Sequence, residues 1–410
     1  RKTSFVFRAH SILNAVIIKK ESPTMTANIN LPRILRIGAE ASQMLPATLK
    51  ELGLSRPLLV SDAFIVSLGW LNTLQEQLDK EGIFHRSFTG VVPDPTTDAI
   101  YQGLAVLRHE DHDCVVALGG GSTIDTAKTI AAMANRDQPI RHYKVPQSLD
   151  DGLPIIAIPT TAGTGSEATR AAVITDTETH EKMLCMGLGL MPVAALVDYE
   201  LTMTMPLRLT ADTGLDSLCH ALEAYVSRRA NPFTDTIALA SMAAIATHLR
   251  AACREPDNRT AREAMMLAAT QGGLAFSNSS VTLIHGMSRP IGALFHVPHG
   301  MSNAMLLPEI TAWSIPGAPE RYAHSARAMQ LATDEDSDEE ANQKLIIGLR
   351  QLCTDLEVPT PASFGITHAQ WQDSISTMVQ QALDSGSPAN NPRIPNAEQI
   401  ATLYQTVWGN

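Results

Sequence analysis

Asp216 and His220 stand four residues apart in "LTADTGLDSLCHALEAYVS" (209–227), and His285 and His299 both fall in "LIHGMSRPIGALFHVPHG" (283–300). On a helix an i,i+4 pair projects from one face about one turn apart, so the Asp216 carboxylate and the His220 imidazole can converge on one cation. Such a pair alone is more often an ordinary surface hydrogen bond. Two further imidazoles change that reading. Gly286 and Pro290 are expected to end any helix near His285, and Pro298-His299-Gly300 reads as the start of the next element, so the chain turns back and carries both rings to one point. One anionic oxygen with three neutral nitrogens suits Fe(II), Zn(II), Co(II) or Ni(II) better than Mg(II) or Ca(II), without choosing among the transition metals. Asp212 and Glu223 share the face of the first pair and are candidates to hydrogen-bond the ligands. His296 reads either as part of a proton path or as a packed, hydrogen-bonded histidine, with the second slightly favoured.

A second constellation suits phosphates. In "VVALGGGSTIDTAK" a strand runs into Gly119, Gly120 and Gly121, and a helix opens at Ser122, presenting free N–H groups and the positive end of its dipole. The triplet lacks the GxGxxG spacing, so by itself it is also a plain strand-to-helix turn. "IPTTAGTGSE" (158–167) follows another apolar run and packs Thr160, Thr161, Thr164 and Ser166 around Gly163 and Gly165. Two such loops at neighbouring strand ends suit the ribose and phosphates of a polar cofactor. Asp62 ends "LLVSD", where a carboxylate either accepts from an adenosine ribose diol and repels a 2′-phosphate, favouring NAD over NADP, or caps the helix that follows.

These groups require two scaffolds. Between about residues 29 and 205, "RPLLVSD", "HDCVVALGGG", "LPIIAIPTT" and "VAALVDYE" read as buried strands alternating with amphipathic helices, the pattern of a parallel sheet covered on both faces. After Pro206 the chain is rich in Ala, Leu and Met at a period near 3.6 and reads as helical. The expected architecture is an α/β nucleotide-binding domain (29–205), an all-α metal-binding domain (206–410) and a ligand cleft between them. The acidic "TDEDSDEE" (333–340) reads as a solvated loop and helix start. With 44% hydrophobic and 18% charged residues, and a net charge of −11, the chain has no basic surface for nucleic acid. Five scattered cysteines without a CxxC point to reduced thiols and a cytoplasmic protein, and no apolar run is read as a membrane span. The first 24 residues carry five basic side chains and one acidic one; they read as a targeting leader or, preferably, as an upstream extension before Met25, and residues 1–28 are set apart from the fold.

"GGGSTIDTAK", "IPTTAGTGSE", "TADTGLDSLCHALEAYVS" and "HGMSRPIGALFHVPHGMSNAMLLP" together resemble the signature segments of the iron-containing (group III) alcohol dehydrogenase family. The likeness runs from about residue 31 to the end, where "NNPRIPNAEQIATLY" also resembles the family's C-terminus. It implies a dehydroquinate-synthase-like fold. It also implies hydride transfer between a primary alcohol or aldehyde and NAD(H), with a metal, Fe(II) or another divalent ion, polarising the substrate oxygen. By resemblance the metal ligands are Asp216, His220, His285 and His299. The cofactor contacts are Asp62, the Asp94-Pro95-Thr96 turn, Gly119, Gly120, Gly121, Ser122, Thr160, Thr161, Thr164 and Lys182. The expected assembly is a homodimer or larger.

One position departs from the family. Many relatives carry a histidine four residues after the ligand at His285, where this chain has Arg289, which stays protonated and cannot be the usual base. Arg289 reads as a partner of an interdomain carboxylate, as a holder of the cofactor pyrophosphate, or as a clamp on the anion of a hydroxy acid or semialdehyde. A dehydroquinate-synthase-type lyase would need a glutamate ligand and several basic residues that are not found. A nonenzymatic nucleotide- or metal-binding protein is the remaining alternative.

Overall fold

The computed structural model describes residues 26–409, so the basic segment 1–24 lies outside the described residues. Eight strands are present: β1 (Ile34–Ile37), β2 (Pro57–Asp62), β3 (Arg86–Val91), β4 (Cys114–Gly119), β5 (Ile155–Pro159), β6 (Ala171–Thr175), β7 (Lys182–Met186) and β8 (Ala194–Val197). Six of them form one parallel sheet in the order β1-β8-β5-β4-β2-β3, and β6 and β7 make an antiparallel pair. The helices of this half are α1 (Leu45–Leu52), α2 (Ala63–Ser67), α3 (Trp70–Lys80), α4 (Thr97–His109) and α5 (Gly121–Met133). Side chains alternate along the strands, as the pleat demands. Leu58, Val60, Val115 and Ala117 pack under α4 and α5 on one face. Leu59, Val116, Leu118 and Ile156 pack under α1 and α3 on the other. Strands buried on both faces must be continuously apolar, which is why "CVVALG" has no polar side chain.

The strand order creates a crevice. From β2 the chain moves outward to β3, then crosses back to β4 on the other side of β2 and continues through β5 to β8. Ligands of open α/β sheets bind at the carboxyl ends of strands where the order reverses, here between the ends of β2 and β4, at Asp62 and Gly119.

The second half is helical: α6 (Leu207–Val226), α7 (Pro232–Arg254), α8 (Arg259–Ser277), α9 (Leu283–Phe295), α10 (His299–Ser314), α11 (Pro319–Ala328), α12 (Asp338–Asp355), α13 (Pro361–Phe364), α14 (His368–Asp384) and α15 (Ala397–Gly409). Helix α6 is buried along nearly its whole length and packs against α7, α8 and α10. Ser337 caps α12 with Glu340 in a capping box, as the acidic run predicts. Among the described residues α7 is long and apolar enough to match a membrane span (mean hydropathy 1.3 over its best window), contrary to the sequence reading, and its inward face belongs to the helical core.

A second expectation also fails. Gly286 and Pro290 do not end the helix near His285; α9 runs from Leu283 to Phe295 with Pro290 inside it. Proline in a helix removes one hydrogen bond and costs about 3 kcal/mol. Burial of Leu283, Ile284, Met287 and Ile291 offsets that cost, and the buried Tyr404 hydroxyl donates to the Met287 carbonyl at 2.7 Å. The turn that carries His299 back comes later, at His296, which ends α9 in a left-handed conformation (φ 55°). His296 is exposed rather than packed, and no hydrogen bond holds its ring among the described residues.

Candidate metal and cofactor site

Three helices deliver four side chains to one point. Asp216 and His220 project from the middle of α6, His285 from the first turn of α9 and His299 from the first residue of α10. One potential ligand atom from each lies within 4.8 Å of all the others. Asp216, His220 and His285 are 2%, 5% and 3% exposed, whereas the His299 side chain is 47% exposed and marks the open side of the cluster. A close approach makes this possible: a Cβ on Gly300 would stand 2.3 Å from the Asp212 carbonyl oxygen, so only glycine lets the start of α10 meet α6 there.

The ring orientations are fixed from behind. Glu223, one turn beyond His220 on α6, accepts from His285 Nδ1 at 2.5 Å. Its other oxygen accepts from the Thr282 hydroxyl (2.7 Å) and the Ile284 amide (2.6 Å). With Nδ1 engaged by Glu223, the Nε2 edge of His285 faces Asp216, and loss of the Nε2 proton would free that nitrogen for a cation. The His220 ring stacks between Phe276 (4.4 Å) and His285 (4.6 Å). Of the two acidic residues expected to support the ligands, only Glu223 does so; Asp212 pairs with Arg208 at 2.6 Å instead.

The electrostatics follow. Burial opposes ionisation of Asp216, but His220, His299 and His285 around it outweigh burial and hold its carboxyl well below the usual range. Burial pushes His220 down to about 4, leaving a neutral ring. Burial acts the same way on His285, yet Glu223 and Asp216 on either side overcome it and raise that ring to about 9. His299 is lowered by desolvation of its packed face, against Asp216 and with the positive charges of His285, Arg289 and Lys182.

The donor set fits a divalent transition metal. The Nε2 atoms of His285, His299 and His220 lie 3.5, 3.7 and 3.8 Å from Asp216 Oδ1. A tetrahedron with arms of about 2.1 Å has edges of about 3.4 Å. Buried His220 Nδ1 has no hydrogen-bond partner among the described residues, so the ring is not held as part of a protein hydrogen-bond network on that side.

Sequence reasoning missed Asn303. It lies one turn after His299 on α10, fully buried, with its amide nitrogen 2.7 Å from Asp216 Oδ1, 3.1 Å from His285 Nε2 and 3.3 Å from His299 Nε2. Its i,i+4 spacing from a candidate ligand was the available signal.

The nucleotide side assembles from the predicted loops. Gly119 pairs in register with Pro159, and the Thr160 amide donates to the Gly119 carbonyl, so the two loops leave the sheet side by side. A Cβ on Gly121 would lie 2.7 Å from the Thr164 side chain, which shows how closely they pack. No side chain caps α5, whose first turn at Gly121 and Ser122 keeps its amides for an anion. Thr160 is buried, while Thr161, Thr164 and Ser122 remain partly open. Asp62 caps α2 by accepting from the Ile65 amide (2.9 Å), and its second oxygen accepts from Thr123 of α5 (3.1 Å). Asp94, in a left-handed turn (φ 55°), pairs with Lys182 at the start of β7 (3.1 Å).

Behind the second loop lies a buried network that the sequence reading did not foresee. Lys128 of α5 is fully buried and donates to the Thr169 hydroxyl and the Ala171 carbonyl, both at 2.9 Å, with Asp125 3.9 Å away. Ser166 donates to Asp125 (2.6 Å), and Thr270 of α8 donates to Glu167 (2.6 Å), tying the loop to the helical half.

Comparison with known proteins bears on this arrangement directly. The model of the iron-containing alcohol dehydrogenase family matches residues 32–199, and that of the C-terminal part of the Fe-containing alcohol dehydrogenase family matches residues 210–408. The chain belongs to the iron-containing alcohol dehydrogenase family. This alcohol dehydrogenase is 32% identical to an NAD-dependent methanol dehydrogenase of Bacillus methanolicus, over 93% of this chain and 99% of that protein. It is 33% identical to an NADPH-dependent butanol dehydrogenase of Clostridium saccharobutylicum, over 83% of this chain and 88% of that protein. A crystal structure of a 1,3-propanediol oxidoreductase superimposes with a TM-score of 0.89, at 33% identity, over 93% of this dehydrogenase and all of the other chain.

Proposed function

We propose that this dehydrogenase interconverts a small primary alcohol and its aldehyde, using Fe(II) or a similar divalent ion on Asp216, His220, His285 and His299, with NAD at the β2–β4 crevice. The convergence of those four ligand atoms within 4.8 Å carries the reading. When bound, the metal supplies a Lewis acid to the substrate oxygen, and the nicotinamide supplies the two-electron acceptor.

The protein's own contributions are positional. Glu223 fixes the His285 tautomer, and ring stacking fixes His220. The glycine and threonine loops receive the cofactor's phosphates, and Asp62 receives the adenosine ribose. Arg289 remains protonated, so the hydroxyl proton leaves to water rather than to this residue. A carboxylate at the ribose position favours NAD over NADP. All five cysteines are free thiols, four of them buried, in keeping with a reducing cytoplasm. Exposed Leu35 and Ile37 on the open edge strand β1 suit a homodimer or larger assembly.

The test is an NAD- and NADP-linked screen of primary alcohols and diols on enzyme purified without oxygen and loaded with Fe(II) or Zn(II). Asp216→Ala and His285→Ala should each lower bound metal and nearly abolish turnover with the fold intact. Full activity of chelator-stripped enzyme would sink the reading.

A further inference from the structure

Arg289 lies one helical turn beyond His285 on α9, so its side chain leaves the helix on the side of the metal cluster. It is only partly exposed, and the packing around it disfavours its charge, opposed only by the distant field of Glu223. Among the described residues no carboxylate forms an ion pair with it and no hydrogen bond holds its guanidinium. That removes the interdomain ion pair as its role. Glu223, the carboxylate it senses, is already committed to His285, Thr282 and the Ile284 amide. Lys182 has a protein partner, Asp94 at 3.1 Å, whereas Arg289 has none among the described residues.

A partly desolvated guanidinium with five donors and no acceptor is costly. Its fork is shaped to take two oxygens of one anion at once. We propose that Arg289 binds the carboxylate of the substrate, making ω-hydroxy acids and their semialdehydes the preferred substrates over plain alcohols of the same length. The inference rests on the alcohol dehydrogenase reading and leaves its chemistry unchanged. The carbinol C–H bond breaks with its electron pair going to the oxidised nicotinamide, the hydroxyl proton goes to solvent, and the carboxylate at the far end does not react.

The experiment compares wild type, Arg289→Met and Arg289→Lys on straight-chain primary alcohols and ω-hydroxy acids of three to five carbons, with NAD saturating and then varied. At least one acid should be preferred by the wild type. Its kcat/KM relative to the equal-length alcohol should fall by about tenfold or more in Arg289→Met, in line with loss of a charge-assisted bidentate contact, and only part of the way in Arg289→Lys. The melting temperature of Arg289→Met should stay level or rise, because no pair within the protein is lost. A lower melting temperature together with an equal loss on acids and alcohols overturns the proposal in favour of a structural role. An unchanged acid-to-alcohol ratio with a raised KM for NAD overturns it in favour of the cofactor pyrophosphate. If the wild type oxidises neither series with NAD or NADP, the dehydrogenase reading fails first. If alcohols react and the ratio ignores residue 289, only this inference falls.

Discussion

Both oxygens of Asp62 are engaged: one caps α2 through the Ile65 amide, and the other accepts from Thr123 at the start of α5. From the sequence these roles, cap and ribose acceptor, read as alternatives. In the structure they are compatible, because an ionised carboxylate has about four acceptor positions and this one stands at the reversal point of the sheet. The geometry also dictates how to test it. Removing the side chain with Asp62→Ala would disturb the cap, worth about 1 kcal/mol, as well as any cofactor contact. Asp62→Asn keeps one oxygen for the cap and removes the charge, with an amide nitrogen facing Thr123 in place of the second oxygen. If the carboxylate faces the ribose, the wild type should prefer NAD, and Asp62→Asn should raise kcat/KM for NADP relative to NAD by about tenfold, the size of one screened charge–phosphate repulsion. Steady-state kinetics with both cofactors decides. A ratio that ignores the substitution would leave Asp62 as a cap alone.

At the scale of elements, the parts legible in the sequence were those whose burial is extreme. The strands β2, β4, β5 and β8 stand inside the sheet, and their apolar runs announce them. The edge strands do not: β1 alternates between half-buried and exposed residues, and most of β3 faces solvent. The β6–β7 hairpin carries short apolar runs, AAVI and MLCM, but pairs antiparallel outside the main sheet and alternates in burial, and the reading of the parallel sheet passed over it. Asp216 and His220 were legible because helical spacing is local. The Glu167–Thr270 bond was not, since its partners lie 103 residues apart, and Asn303 offered only its spacing from His299, its bond to Asp216 spanning 87 residues. The end of α9 was misplaced because local proline chemistry lost to tertiary packing. Lys128 shows the same dependence on distant partners, and burial holds its pKa down to about 8. Lys128→Met should destabilise the fold by about 3–5 kcal/mol, because it strands the buried carboxyls of Asp125 and Glu167 without their cation. The pH sign is also set. Between about 8 and the unfolded value of 10.5 the unfolded chain holds a proton that folded Lys128 has lost. This residue's contribution to stability therefore rises with pH across that window, and the Met variant should lack that slope. Urea unfolding of both proteins at pH 7.5 and 9.5 measures each effect; a variant as stable as wild type would show that the network is not what holds the loop.

Over the whole molecule, the chemistry is divided between halves that meet at few polar points. All four candidate ligands come from α6, α9 and α10, whereas the phosphate loops follow β4 and β5. Ser217 of α6, beside Asp216, donates to the Gly163 carbonyl (2.9 Å), and Thr270 of α8 donates to Glu167, so the loop that would hold the cofactor is braced against the helices that would hold the metal. A metal that binds only the folded state stabilises it by about 4 kcal/mol at a thousandfold excess over its Kd. Because its ligands lie in one half, that stabilisation should be local in its first effects. Chelation should accelerate amide hydrogen exchange in α6, the first turns of α9 and α10, and the α8 face packed on α6, while β2, β4 and β5 keep their protection. The Thr160–Glu167 loop should change less than the helices, since it feels the metal only through Ser217 and Thr270. Exchange followed by mass spectrometry on metal-loaded and stripped protein separates the outcomes. Loosening centred on the Gly119–Ser122 turn would place the metal's influence at the sheet instead, and would count against a cluster built from Asp216, His220, His285 and His299.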